Sequence, residues 1–331
     1  MTITESIEAY LESLAEARSE HTLRAYRNAL QAFSAVLEAH GLSPEEDAPQ
    51  RLTLTSINWF AAALKSYAAA TEQLYLTALK GFFEFLVAED LTPLNLTQVQ
   101  RRIRLRARRP GQRLPQFPKE DIEKVIEHAK YLTNVPAKDP AAGLRALRDR
   151  AFLLTLADTG LRVHEACALR RGDVDWREGR AVIIGKGNKQ AVVRFSRRAM
   201  AALQDYLNAR APLDGAQGRP LTSLPLFARH DRGAGKKIKP ITTATGRNIV
   251  RQRVREALGE KAAGTITPHS FRHYFVTTVL QGSGGNLKLA QKLARHENIA
   301  VTQRYAHLSD DELDRAYYEI FEEGDEDEMT R

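Results

Sequence analysis

The chain has 331 residues, 49 lysines and arginines against 41 acids, and a single cysteine, Cys167. That length predicts two domains, each able to bury a core of its own. One cysteine excludes a disulfide framework and the zinc motifs built on paired cysteines, as suits a reducing compartment. No basic leader followed by an apolar run opens the chain, and no long uncharged apolar stretch occurs anywhere, so neither a signal peptide nor a membrane span is expected. The charge is uneven: residues 1–100 carry a net −7, residues 101–309 a net +24, and residues 310–331 a net −9. An excess of this size over one continuous region points to a polyanion as partner.

Residues 2–17 read as a helix, and the apolar positions from Thr22 onward give a second. The stretches Thr55 to Tyr67 and Thr71 to Val87 repeat the pattern, with Thr55 and Thr71 as N-caps. Residues 1–100 are therefore expected to form a small all-helical domain. Its acidic balance argues against a wholly DNA-facing surface, but Arg24, Arg27, Lys65 and Lys80 could form a local phosphate-contacting face, with a plain solvent-exposed role an equal alternative.

Arg101, Arg102, Arg104, Arg106, Arg108, Arg109 and Arg113 follow within 13 residues that contain no acid. Pro110 and Gly111 break any helix, so residues 101–117 read as an interdomain linker. Fully extended, 13 residues reach roughly 45 Å, more than the roughly 34 Å of one turn of B-DNA. Such a segment can run along phosphates while two domains grip opposite sides of a duplex.

A second domain is expected over residues 118–309. A helix from Arg148 to Ala157 ends at Asp158-Thr159-Gly160, and a new helix opens with Arg162 in its first turn and Glu165 three residues on, placed to orient or partly neutralise it. Two alternating apolar runs, Arg180 to Gly185 and Gln190 to Phe195, read as a β-hairpin whose tip carries Lys186 and Lys189. After Pro268, His269 and Arg272 share one helix face, and His273 is four residues from His269. A zinc-protease helix is disfavoured because Ser270 replaces the required glutamate. Gly233-Ala-Gly235-Lys236-Lys237 fails as a phosphate-binding loop, since His230 and Lys237 stand where glycine and Ser or Thr belong. Finally, His296, Tyr305 and His307 lie close together; a tyrosine hydroxyl among histidines and arginines has what it needs to attack a phosphodiester.

Taken in order, Thr159-Gly-Leu-Arg162-Val-His-Glu165, Gly185-Lys186-Gly-Asn-Lys189, His269-Ser-Phe-Arg272-His273 and His296 through Tyr305-Ala-His307 resemble the active-site boxes of the tyrosine recombinase (integrase) family. The resemblance is strong over roughly residues 118–310 and looser over the helical N-terminal domain, which is similar to that family's core-binding (SAM-like) domain. It implies a mainly α fold: an all-helical domain plus a mostly α catalytic domain with a small antiparallel sheet, together a C-shaped DNA clamp. It also implies roles. Arg162 and Arg272 would clamp the scissile phosphate, Lys186 would serve the leaving 5′ oxygen as general acid, and Tyr305 would be the nucleophile. His269, the stronger candidate for the base, and His296 would bond the phosphate and assist proton transfer. Strand exchange through a 3′-phosphotyrosine would need no metal, nucleotide or other cofactor. Two departures stand out: Ala294-Arg295 replaces the Leu-Gly usual before the second histidine, and His164 stands where a small polar residue is common.

The chemistry agrees independently, because planar arginine forks can match the charge on non-bridging phosphate oxygens in place of a metal ion. In the acidic tail, residues 310–331, Leu313, Ala316, Tyr317, Ile320 and Phe321 fall on one helical face. In the family the equivalent segment docks onto a neighbouring subunit, implying a cyclic tetramer on two DNA sites, although packing on its own domain is an equal alternative. The sequence thus predicts a cytoplasmic, nucleoid-associated recombinase acting on a double-stranded DNA site. The chain begins almost at once with core-binding helices and so leans toward a simple Xer-like or mobile-element enzyme. The competing readings are a DNA-binding protein without catalysis and a type IB topoisomerase-like enzyme.

Overall fold

The structure is a computed structural model that describes residues 1–108, 119–134, 136–185, 190–231, 233 and 237–303. Lys186, Lys189, Arg109, Tyr305 and the whole acidic tail lie outside the described residues. The chain divides into two compact units, Met1–Arg113 and Leu114–Arg331. No helix among the described residues is long and apolar enough to cross a membrane.

The first unit is all-helical. α1 (Ile3–Ala15) opens on a capping box in which Thr2 and Glu5 each accept the other's backbone N–H, satisfying two donors that a helix end leaves orphaned. α2 (Glu20–Glu38) is capped by Ser19 and α3 (Leu54–Ala63) by Thr53, two residues before the expected Thr55. α4 (Ala69–Ala88) likewise starts ahead of Thr71 and has no side-chain cap. Phe33, Phe60, Phe82 and Phe83 lock the core, with Leu30, Leu37 and Ile57 around them. Edge-to-face contacts of Phe33 with Phe60 and Phe83 add directional attraction to the burial.

The arginine run departs from expectation. Residues 101–106 are not linker but the end of α5 (Leu96–Arg106), whose Val99 and Ile103 are buried in the first unit's core. Four residues apart, these two apolar positions anchor a helix that the density of arginines hides from composition. Arg101, Arg104 and Arg106 are exposed and Arg102 is partly so. Arg108 is committed elsewhere: its Nε donates to the buried Glu72 carboxylate, its backbone N–H to Glu72 Oε1 at 2.8 Å, and its Nη2 to the Tyr67 carbonyl at 2.5 Å. Lys65 joins the same carboxylate at 2.8 Å and also caps the Arg106 carbonyl. Burial alone would raise the pKa of Glu72, yet the hydrogen bonds from Lys65 and Arg108 hold it at about 2. Lys65 and Arg108 therefore tie the end of α5 to α4.

The second unit is mostly helical with one small sheet. α6 (Lys119–Tyr131) precedes α7 (Pro140–Thr159), which is capped by Asp139 and begins eight residues before the expected Arg148. Pro at the first helical position is favourable, because its missing N–H would be unsatisfied there anyway. α8 (Val163–Ala168) leads into β1 (Val174–Asp175), β2 (Arg180–Ile184) and β3 (Gln190–Arg194), an antiparallel sheet in the order β1-β2-β3. The hairpin is as predicted, with Val182 opposite Val192; the two-residue β1 is too short to carry an alternation signal. On β2, Ala181 and Ile183 face the core while Val182 and Ile184 are exposed. α9 (Arg197–Gly215), α10 (Thr243–Leu258), α11 (Pro268–Gly282), α12 (Leu287–Ala294) and α13 (Ile299–Gln303) complete the unit. Its core joins α6, α7, α9 and α10 through residues such as Ile126, Phe152, Leu203, Phe227 and Val250.

Candidate active site

The site is assembled from the ends of α7 and α12 and the starts of α8 and α11. Gly160 terminates α7 at φ 60°, the left-handed region that glycine enters without steric cost. A Cβ at this position would also collide with the Phe275 ring of α11. That close approach lets the Arg272 guanidinium reach back across the junction. Arg272 is 4% exposed, and its Nη1 donates to the Gly160 carbonyl at 2.5 Å while Nη2 donates to the Ala294 carbonyl. Two of its five N–H donors thus fasten α11 to both α7 and α12.

Arg162 is the N-cap of α8, one position before the first helical turn in which it was expected. Its backbone N–H donates to Glu165 Oε2 at 2.8 Å and its Nη1 to Glu165 Oε1 at 3.1 Å, so the acid three residues on does orient it. The Arg162 side chain is 45% exposed and that of Glu165 only 2%. Burial would raise the Glu165 pKa, but Arg295 and Arg162 outweigh it and keep the group ionised, with its pKa below the ordinary value.

Arg295 has a larger part than the sequence assigned it. It caps α12 at φ 58°, where an L side chain costs roughly 1–2 kcal/mol. Its own side chain is 12% exposed and crosses to α8, where Nη2 donates to Glu165 Oε2 at 3.1 Å. The sequence signal was an arginine in place of the expected glycine; its partner, 130 residues earlier, is visible only in three dimensions.

The histidines cluster beside these arginines. His269 and His273 meet edge to face with ring centres 4.3 Å apart. Nδ1 of His296 hydrogen-bonds Thr302 Oγ1 at 2.9 Å; Thr302 is fully buried, and this contact fixes the ring. Thr302 too escaped the sequence reading, for nothing in the sequence says that six residues on it faces back. Burial first, then the charges of Arg272, Arg162, His273 and Arg295, lower the His296 pKa to about 4. His273 also falls to about 4, through burial, His269 and Arg272. His269 is lowered by desolvation, then Arg272 and Arg162. Near neutral pH, His273 and His296 are uncharged and able to accept a proton. Cys167 is buried and its thiol is pushed up to about 12 by that burial, which makes it a packing residue. His164 is exposed, so its extra bulk is accommodated in solvent.

Arg162, Arg272, His269 and His296 are therefore brought together, whereas Lys186 and Tyr305 fall outside the described residues. In the first unit Arg24 is exposed, Arg27 pairs with Glu8 at 2.7 Å, and Lys80 pairs with Glu84 at 3.3 Å, so only Arg24 of these three lacks an acid partner among the described residues.

Comparison with known proteins agrees with this geometry. Residues 116–312 match the phage integrase family and residues 7–90 the phage integrase N-terminal SAM-like domain. Tyrosine recombinase XerD of Brucella melitensis is 30% identical over 317 residues, covering 93% of this chain and 94% of its own. Tyrosine recombinase XerC of Pediococcus pentosaceus is 30% identical over 309 residues, covering 92% of each. Among solved structures, XerH site-specific recombinase bound to palindromic difH substrate superposes with a TM-score of 0.66 at 19% identity, over 89% of this chain and 79% of that one. The fold, the clustered site and these relatives together establish that the chain belongs to the phage integrase family and is a site-specific recombinase of the Xer type.

Proposed function

We propose that this recombinase cleaves and rejoins duplex DNA through a 3′-phosphotyrosine formed by Tyr305. The observation that carries the reading is that Arg162 and Arg295 share one buried carboxylate, Glu165, while Arg272 is bonded to the Gly160 and Ala294 carbonyls beside them in the chain. A scissile phosphate there meets the exposed fork of Arg162 within the positive field of the buried Arg272, and charge developing on its non-bridging oxygens is stabilised by both. His269 or His296 accepts the Tyr305 proton as the phenol attacks phosphorus. Lys186 protonates the leaving 5′ oxygen. The phosphotyrosine conserves the energy of the broken ester, so attack by a DNA hydroxyl reverses the step without nucleotide hydrolysis. The first unit, with Arg24 and the exposed arginines of α5, contributes sequence-independent phosphate contacts on the same duplex.

The test is a denaturation-resistant protein–DNA adduct on a suicide substrate. Wild type should form it and Tyr305→Phe should not, while DNA affinity stays close to wild type because only the nucleophilic oxygen is removed. An adduct formed by the Phe variant would move the nucleophile elsewhere, to Tyr317 or Tyr318 first. A wild type that binds DNA but never forms an adduct would leave a DNA-binding protein without catalysis.

We further propose a tetramer on two DNA sites, with the apolar face of residues 313–321 docked on a neighbouring subunit. Its support is that face's pattern within a strongly acidic segment, which has a basic catalytic unit to meet. Deleting residues 311–331 should then leave a protein that folds and binds one site but fails to bring two sites together. A truncation that still assembles two sites would remove the proposal; a lower melting temperature with weaker single-site binding would mean docking on its own unit.

A further inference from the structure

Glu165 is one buried carboxylate serving two guanidinium groups. Its Oε1 takes Arg162 Nη1 at 3.1 Å, and its Oε2 takes both the Arg162 backbone N–H at 2.8 Å and Arg295 Nη2 at 3.1 Å. A single acid against a single arginine would cancel the charge of Arg162. With Arg295 added, the triad carries a net positive charge, and Arg272 joins it through its bond to the carbonyl of Ala294, the residue before Arg295. Arg295 does nothing for its own backbone, since φ 58° suits glycine better than any L residue. Whatever offsets that strain comes from the side chain, which is mostly buried along its path to α8. Nε of Arg295 is buried with no hydrogen-bond partner among the described residues, so the ion pair with Glu165 is the contact that holds the group.

We propose that Arg295 is a positioning residue for cleavage: by sharing Glu165 with Arg162, it fixes Arg162 at the phosphate and keeps the arginine pair net positive. This role deepens the recombinase reading and rests on it. Arg295 acts through Glu165, so its effect belongs to a coupled pair and is measurable as such. Its proximity also helps keep His296 neutral, which ties it to the proton-transfer step as well.

The experiment is single-turnover cleavage of a suicide substrate by the full-length protein. The variants are Arg295→Gly, Arg295→Lys, Glu165→Gln and the double variant Arg295→Gly with Glu165→Gln, each with its melting temperature. Arg295→Gly should slow cleavage about tenfold although glycine is the better residue for that backbone, and in the Glu165→Gln background the same change should cost less than about twofold. Arg295→Lys should recover most of the rate, and the acidic limb of the pH–rate profile should move to higher pH in Arg295→Gly alone. Cleavage by Arg295→Gly at the wild-type rate would overturn the proposal. So would losses that simply multiply in the double variant, which would put Arg295 outside the Glu165 pair. If Glu165→Gln does not fold, the lysine variant decides, and a lysine variant as slow as glycine overturns the proposal. A wild type that forms no adduct would instead sink the recombinase chemistry itself.

Discussion

Arg162 and Arg272 enter the proposed mechanism from opposite structural situations. Arg162 is 45% exposed and held at its base by Glu165, whereas Arg272 is 4% exposed and bonded to the Gly160 and Ala294 carbonyls. Arg162→Ala should therefore cost on the order of 10² to 10³ in cleavage rate with little change in melting temperature, as expected when one transition-state donor is removed. Arg272→Ala should lose comparable activity and also about 1–3 kcal/mol of stability, because two buried carbonyls lose their donor. Arg272→Lys should not restore it, for one ammonium cannot reproduce a planar fork spanning two acceptors. Single-turnover cleavage and thermal melts on the three variants separate the cases, and an Arg272→Ala protein as stable as wild type would contradict the strap. Cleavage should also persist in EDTA if these arginines take the place of a cation. At this scale the sequence was readable where partners are close along the chain. Arg162 with Glu165 is an i, i+3 pair, but Arg295 with Glu165 depends on a left-handed backbone angle that no local pattern announces.

At the scale of elements, the hairpin of β2 and β3 was legible because strict alternation encodes one buried face, and the helices of the first unit because apolar spacing does the same. The misreadings are at places where another force overrides the local signal. Composition marked Arg101 to Arg106 as linker, yet two apolar residues, Val99 and Ile103, are enough to bind α5 to the core. Asp139 and Pro140 begin α7 well before its apolar run does. The α5 result sharpens what its arginines should do. Neutralising Arg101, Arg104 and Arg106 should weaken binding to every DNA sequence and flatten the salt dependence by roughly 0.9 for each phosphate that no longer meets a cation. Arg108→Gln should instead lower stability, because it abandons the buried Glu72, and should leave the salt slope nearly unchanged. A slope unaffected by the triple change would return α5 to a purely structural role.

For the whole molecule, the second unit's histidines set an acid limit. His230, His273 and His296 each have a folded pKa of about 4 against an ordinary value of 6.5. For His230 the cause is burial, then Arg148, Arg210 and Arg145, while Tyr206 contacts its Nε2 at 2.8 Å. Between these two values the unfolded chain binds protons that the folded unit refuses. Their stabilising contribution is thus complete above pH 6.5 and falls as pH drops toward 4. Melting temperature should begin to decline below about pH 6.5, above the range where most carboxylates titrate, and a flat profile from neutral pH down to about 5 would show these histidines to be protonated in the folded state. His230 is bonded to the buried Tyr206 rather than placed in the candidate site by any sequence motif, so His230→Phe should reduce the slope without changing the pH dependence of cleavage.

The strap formed by Arg272 has a consequence for timing. Its two acceptors come from segments 112 residues earlier and 22 residues later in the chain. During synthesis the earlier acceptor emerges long before the arginine, and the later one well after it. Until α12 has left the ribosome and closed, the arginine cannot make its second bond. The arginine proposed to meet the phosphate thus reaches its bonded position only once α12 has packed against α11.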